Sequence, residues 1–222
     1  MSYPTPNFSL DLSGDVAIVT GTTSGLGKRF AQVLAACGAS VVLTGRRVEK
    51  LQELADEIRA NGGICEPIVT DMTDRTSIRS MVDAAEAKFG TVNILVNNAG
   101  VPDAQRAIRM SDDLIDSVVD TNLVGPYVLS CEVAKRLMAE KKPGRIVNIS
   151  SIAAFNTSPG SAAALYSITK SGVVRMTEAL SVEWSKFRIN VNCIAPGAFS
   201  SEMMDGMLER MGDFSKSFPR ER

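Results

Sequence analysis

Tyr166 and Lys170 stand four residues apart in the run Tyr166-Ser167-Ile168-Thr169-Lys170. On a helix that spacing projects both side chains from one face. A free phenol titrates at about 10, too high for a base at neutral pH. A nearby ammonium stabilises the phenolate and is expected to lower that value. The pair therefore reads as a proton-transfer couple, with a chance pairing on a helix surface as the plain alternative. Its weight grows because the 222-residue chain has no histidine. Ser-His-Asp hydrolysis, a His-ligated metal and a His general base are excluded. Proton chemistry is left to tyrosine, lysine, cysteine or a carboxylate. The cysteines, Cys37, Cys65, Cys131 and Cys193, are widely spaced and form no C-x-x-C. Neither a zinc site nor a disulfide framework is expected.

The second chemical feature is the turn Thr20-Gly21-Thr22-Thr23-Ser24-Gly25-Leu26-Gly27. Its glycines let the backbone turn tightly and approach a bound pyrophosphate, while the free N–H groups at the following helix start face the anion. It is not a P-loop, because residue 22 is threonine where that pattern needs glycine.

These residues need a scaffold, and the hydrophobic pattern supplies one. Apolar β-branched runs at 16–20, 40–43, 64–70, 94–97, 145–150 and 189–195 read as strands. Helical periods fill 23–37, 48–61, 74–89, 112–120, 122–139 and about 165–187. Strands apolar on both faces and separated by helices imply a parallel sheet covered on both sides. The expected fold is α/β: a single doubly wound parallel sheet, Rossmann-like, with helices on both faces. No repeat, low-complexity segment or linker divides the chain, so residues 1–222 are read as one domain.

The ordered set of motifs resembles the short-chain dehydrogenase/reductase family. It comprises the Thr-Gly-x-x-x-Gly-x-Gly turn, Asn97-Asn98-Ala99-Gly100, Asn122 in TNLVG, Ser151 after a strand, Tyr166-x-x-x-Lys170, and Pro196-Gly197 after the last strand. The resemblance implies an oxidoreductase that moves hydride between a nicotinamide dinucleotide and an alcohol or carbonyl carbon. It gives Tyr166 the role of general acid/base and Lys170 the support of the phenolate and the nicotinamide ribose. It makes Ser151 a donor to the substrate oxygen, with Ser150 the competing serine, and Asn122 the holder of a relay water. On the cofactor side it points to Gly21, Thr23, Ser24, Gly25, Leu26 and Gly27 in the turn. It adds Asp71 and Met72 at the adenine, Asn98, Ala99 and Gly100 along the cofactor wall, Pro196 and Gly197 by the nicotinamide, and Ser201 at the carboxamide.

At the end of the second strand Gly45 stands where dinucleotide folds often carry an acid for the adenine ribose. Arg46 and Arg47 follow it. No carboxylate is left to repel a 2′-phosphate, and Arg46 can pair with one in forked geometry. NADP(H) is therefore favoured over NAD. The expected partner is a small carbonyl or alcohol substrate, with Phe155, Phe199 and Met203 as candidate pocket walls. The methionines at 203, 204, 207 and 211 suggest a lid.

A formal net charge of −1 without a basic cluster argues against nucleic acid. No long apolar run suggests a membrane span, and no signal peptide is read at the start. A cytoplasmic location is expected. The family's usual pairing through the helices carrying Asn122 and Tyr166 implies a homodimer or homotetramer. Relatives of this type continue beyond the equivalent of Arg222, so their last edge strand is expected to be absent here. Two other readings stand beside the oxidoreductase: a nucleotide-sensing protein on the same fold, and a nucleotide-sugar epimerase or dehydratase.

Overall fold

Every residue of strand β1 (Val16–Thr20) is buried, as both-sided covering requires. The computed structural model describes residues 11–103, 105–157 and 163–199. Ser201 and the methionines at 203–211 lie outside them. After β1 come α1 (Gly25–Ala36), β2 (Ser40–Gly45), α2 (Val48–Ala60), β3 (Ile64–Val69), α3 (Arg75–Phe89) and β4 (Ile94–Asn97). Then follow α4 (Asp112–Val119), α5 (Gly125–Glu140), β5 (Gly144–Ile149), α6 (Ala164–Trp184) and β6 (Ile189–Ile194). The six strands pair in parallel in the order β3-β2-β1-β4-β5-β6. This is the doubly wound order of dinucleotide-binding folds, with its reversal between β1 and β4.

Strand alternation divides the core in two. Ala17, Val19, Val41 and Leu43 face α1 and α2, where they meet Ala31, Leu51, Leu54 and Ile58. Val16, Ile18, Val42 and Leu95 face the other way, onto Ile78 and Met81 of α3, Leu129 and Val133 of α5, and Val173 and Leu180 of α6. Each such aliphatic side chain contributes roughly 1.5–3 kcal/mol on full burial. On the rim, Arg136 of α5 reaches Asp83 and Glu86 of α3 and Glu132 of its own helix.

The expectation of strands apolar on both faces fails at the sheet's edges. Ile64 and Val69 of β3 are each 55% exposed, and β6 alternates buried and exposed residues. An outer strand has a neighbour on one side only, so its ends are left to solvent. A second difference concerns the helices expected at 112–120 and 122–139. They form one continuous rod in which a π-helical turn, Asp120–Val124, joins α4 to α5. Pro126 lies in the first turn of α5. Its nitrogen carries no hydrogen and cannot donate to the Asn122 carbonyl four residues back, which favours a wider turn there. Gly125 makes the close approach possible, since a Cβ on it would lie 2.4 Å from the Met72 carbonyl oxygen.

Candidate active site

The glycine turn sits at the carboxyl end of β1, directly above the reversal in strand order. Gly21 has φ +70° and Gly25 φ +54°, conformations that side chains resist. Gly27 serves close packing: its Cβ would fall 2.2 Å from the Gly21 oxygen and 2.3 Å from Asn98 Nδ2. The turn is held from below. Asn98 Nδ2 donates to the carbonyls of Thr20 (2.9 Å) and Gly21 (3.2 Å). Thr20 Oγ1 accepts from the backbone N–H groups of Asn98 and Ala99, both at 2.9 Å. Asn98 and Ala99 are thus spent on shaping the turn from β4. Ser24 caps α1 without a side-chain bond to it, and its hydroxyl accepts instead from Arg47 at 3.2 Å.

Arg47 also donates twice to Thr23 Oγ1 (2.7 and 3.1 Å), so it braces the turn, while Arg46 is exposed beside it. Arg46 lies close enough to Asp71 to help lower the Asp71 carboxyl, the larger cause being the Thr73 N–H that Asp71 accepts. Gly45 leaves this corner open, because a Cβ there would come within 2.8 Å of Thr23 Cγ2. Met72 is buried in the core, with its carbonyl oxygen and side chain against Gly125. The narrow glycine cradle, the helix start behind it and the arginine-flanked corner fit a dinucleotide with its pyrophosphate at α1 and its adenosine end by Arg46.

The proton-transfer residues gather at the carboxyl ends of β4, β5 and β6. Ser150 and Ser151, adjacent in sequence, go separate ways. Ser150 is buried and donates its hydroxyl to the Lys170 carbonyl at 2.8 Å. Ser151 stands near enough to the Tyr166 hydroxyl to favour its ionisation, and accepts from the Ala153 N–H at 3.2 Å. The geometry brings Ser151, not Ser150, to the phenol. Pro196 is drawn in as well, its carbonyl accepting from the Ile152 N–H at 3.0 Å. Among the described residues, none would lie within 4 Å of a Cβ on the adjacent Gly197.

Lys170 is 4% exposed, and its Nζ donates to the Ile149 carbonyl at 2.8 Å and lies 5.6 Å from the Tyr166 ring centroid. Burial pushes its pKa down to about 8. The lowering of the Tyr166 pKa expected from this ammonium is corrected by the structure. Burial raises the phenol above its ordinary value, the Ser151 hydrogen bond lowers it in part, and the Asp103 charge adds to the rise. The ammonium is turned toward Ile149, and desolvation outweighs it.

Asn122, in the π turn, is buried and forms a reciprocal pair with Val101. Its Oδ1 accepts from the Val101 N–H at 2.8 Å, and its Nδ2 donates to the Val101 carbonyl at 2.9 Å. Its side chain therefore fixes the segment after β4. Gly100 keeps that corner open, since a Cβ there would lie 3.3 Å from Asn122 Oδ1 and 3.5 Å from Lys170 Nζ.

Phe155 is 66% exposed and walls a hollow of about 440 Å³ beside α6, together with Thr157, Ala164 and Ile168. Among the described residues, neither Ser151, Tyr166 nor Lys170 lines that hollow. Phe199 is half exposed after β6, and Met203 and Ser201 lie outside the described residues.

Two features escaped the sequence reading. Asp103, buried at the end of the segment after β4, accepts from the Tyr166 N–H at 3.0 Å. Beneath the site a polar chain crosses the core. Asn97 donates to Ser130 (2.9 Å) and Asn148 (2.8 Å), and Asn148 donates to Thr177 (2.9 Å). Asn97 and Asn148 interrupt otherwise apolar strands, which was the available signal.

The family model for short chain dehydrogenases matches residues 15–211. The chain belongs to the short-chain dehydrogenase/reductase family. It is 36% identical over 201 residues to a 3-oxoacyl-[acyl-carrier-protein] reductase of Rickettsia conorii, covering 90% of this chain and 79% of that one. A short-chain dehydrogenase/reductase from Mycobacterium marinum superposes with a TM-score of 0.87 at 30% identity, over 90% of this chain and 79% of the other. An actinorhodin polyketide ketoreductase solved with NADPH gives 0.85 at 36% identity, over 90% and 76%. Members of the family are NAD(P)-dependent oxidoreductases acting on small molecules, and this chain shares their doubly wound sheet. Among its described residues no helix is long and apolar enough to cross a membrane.

Proposed function

We propose that this protein is an NADP-dependent carbonyl reductase, reversible as an alcohol dehydrogenase, using Ser151, Tyr166 and Lys170 with Asn122 in support. The observation that carries the proposal is the gathering of Ser151 at the end of β5, Tyr166 at the start of α6 and buried Lys170 one helical turn along, its Nζ 5.6 Å from the Tyr166 ring centroid. The names of the relatives, a 3-oxoacyl reductase and a ketoreductase, favour a ketone substrate.

In reduction, the Ser151 hydroxyl and the Tyr166 phenol both donate to the substrate oxygen, and Tyr166 gives up its proton as the oxygen gains charge. The bound nicotinamide supplies the hydride, and in oxidation accepts it. Lys170 offsets the phenolate charge and, with a pKa of about 8, can return a proton near neutral pH. Asn122 holds the Val101 segment against which the substrate end of the site is built. A phenol raised above its ordinary value is protonated at neutral pH and available to donate to the substrate oxygen.

Preference for NADP(H) follows from Gly45 and the exposed Arg46. The cofactor's phosphates would lie on the turn from Gly21 to Gly27, with Thr23 and Ser24 at its edge. Asp71 and Met72 would border the adenine, Gly100, Pro196, Gly197 and Ser201 the nicotinamide end. A homodimer or homotetramer is supported by apolar surface on α5 and α6, where Tyr127 is 49% and Val182 is 78% exposed. The place of action is the cytoplasm.

The test is a pair of titrations with NADPH and NADH. Trp184 lies 18 residues along α6 from Tyr166, about 27 Å at 1.5 Å per residue, so nicotinamide emission is the better signal. NADPH should bind more tightly than NADH, and Arg46→Ala should weaken NADPH roughly 10- to 100-fold, the worth of a charge-assisted contact. NADH binding should stay nearly unchanged. Equal affinities in the parent protein would remove the NADP preference, and binding of neither would remove the enzyme reading.

A further inference from the structure

The first turn of α6 carries Tyr166, yet its own N-cap residue, Ala163, offers no side-chain acceptor. The leading N–H groups of a helix need partners from elsewhere. One comes from a distant part of the chain: Asp103 Oδ2 accepts from the Tyr166 N–H at 3.0 Å, across 63 residues of sequence. Asp103 is 2% exposed, so its carboxylate is held in the interior at the positive end of a 21-residue helix.

The segment that delivers Asp103 is tethered along its length. Thr20 holds Asn98 and Ala99, and Asn122 clamps both backbone groups of Val101. Pro102 stiffens the single step between that clamp and Asp103. The strap after β4 thus runs from the glycine turn, past the lysine corner at Gly100, to the backbone of the proposed acid/base residue.

We infer that Asp103 is a positioning residue for Tyr166, its carboxylate fixing the first turn of α6 from which the phenol projects. The inference rests on Tyr166 being the acid/base residue. Among the described residues, Ser151 after β5 and Lys170 on α6 stand by the phenol, the Asp103 charge acts on it from the backbone side, and Cys193 of β6 acts on Lys170. Of these, Ser151 favours ionisation of the phenol and Asp103 opposes it, in the same direction as burial. An anion beside a group that must donate a proton keeps that proton on it as pH rises.

Asp103→Asn retains an acceptor oxygen for the Tyr166 N–H and removes the charge, whereas Asp103→Ala removes both. The full chain has three tyrosines, and subtracting a Tyr166→Phe background isolates Tyr166 in a tyrosinate absorbance titration. In Asp103→Asn the Tyr166 ionisation should move to lower pH. Its Tm should stay near that of the parent, while Asp103→Ala should lose several degrees. With NADPH and a β-keto ester such as ethyl acetoacetate, kcat should fall in Asp103→Ala with NADPH affinity unmoved, and Asp103→Asn, which keeps the acceptor oxygen, should restore most of it. Full turnover in Asp103→Ala overturns the inference, as does a Tm loss in Asp103→Asn equal to that of Asp103→Ala. If Tyr166→Phe keeps full turnover, the acid/base reading falls instead, and the absorbance and melting data still judge Asp103.

Discussion

Ser150 and Ser151 follow one another at the end of β5, and the extended backbone sends them to opposite sides. Ser150 Oγ is taken by the Lys170 carbonyl, and Ser151 Oγ meets the phenol. Ser151→Ala should therefore lower kcat about 10²- to 10³-fold, the worth of one donor to a developing oxyanion. Ser150→Ala should leave kcat within a few-fold and cost about 1 kcal/mol of stability for the lost bond. Steady-state kinetics paired with thermal melts separate the two, and the reverse pattern would exchange their roles. Tyr166→Phe should lower kcat about 10²- to 10⁴-fold while the NADPH titration stays unchanged. Residue types and spacing made Tyr166, Lys170 and Ser151 visible in sequence. The direction of the Tyr166 pKa was not visible, because it depends on burial and on Asp103, neither of which the local spacing encodes.

At the scale of elements, periodicity located the six strands within two residues and their helices within three, because both core faces need a regular apolar stripe. Joins set by contacts distant in sequence were missed. The π turn at Asp120–Val124 depends on Pro126 within the rod and on Gly125 meeting Met72, which comes from the loop after β3. The glycine turn was legible because it is local. Its tightness yields a prediction: in Gly27→Ala the new methyl would meet the Gly21 carbonyl and the Asn98 amide, both within 2.3 Å. Neither can retreat, since Asn98 holds the turn through Thr20 and Gly21. The substitution should push α1 off the sheet, destabilise by about 1–3 kcal/mol as overpacking does, and weaken NADPH binding at least tenfold. Thermal melts and the nicotinamide titration together check this. Normal binding with a normal Tm would mean that α1 does not need the close approach.

For the whole molecule, the site is a liability that the remaining core offsets. Lys170 is buried at the end of two apolar layers, with the Ile149 carbonyl as its hydrogen-bond acceptor. Depression of its pKa from 10.5 to about 8 corresponds to roughly 3 kcal/mol of cost for keeping the ammonium charged inside the fold. Replacement by methionine removes that cost and forfeits about 1 kcal/mol of hydrogen bonding. Lys170→Met should then be more stable than the parent by about 2 kcal/mol, a Tm rise of roughly 4–8 °C for a chain of this size, while losing nearly all turnover. The sign with pH follows from linkage: below pH 8 the lysine is charged both folded and unfolded, and the cost is present in full. As pH rises through 8 the folded protein releases its proton before the unfolded chain does. The cost fades until about 10.5, where both states are neutral. The advantage of Lys170→Met should accordingly be largest at pH 6–7 and shrink above pH 8, which calorimetry across that range reads directly. A variant less stable than the parent at pH 7 would mean that the ammonium is held by more than the Ile149 carbonyl. An advantage constant with pH would mean that packing, not charge, separates the two.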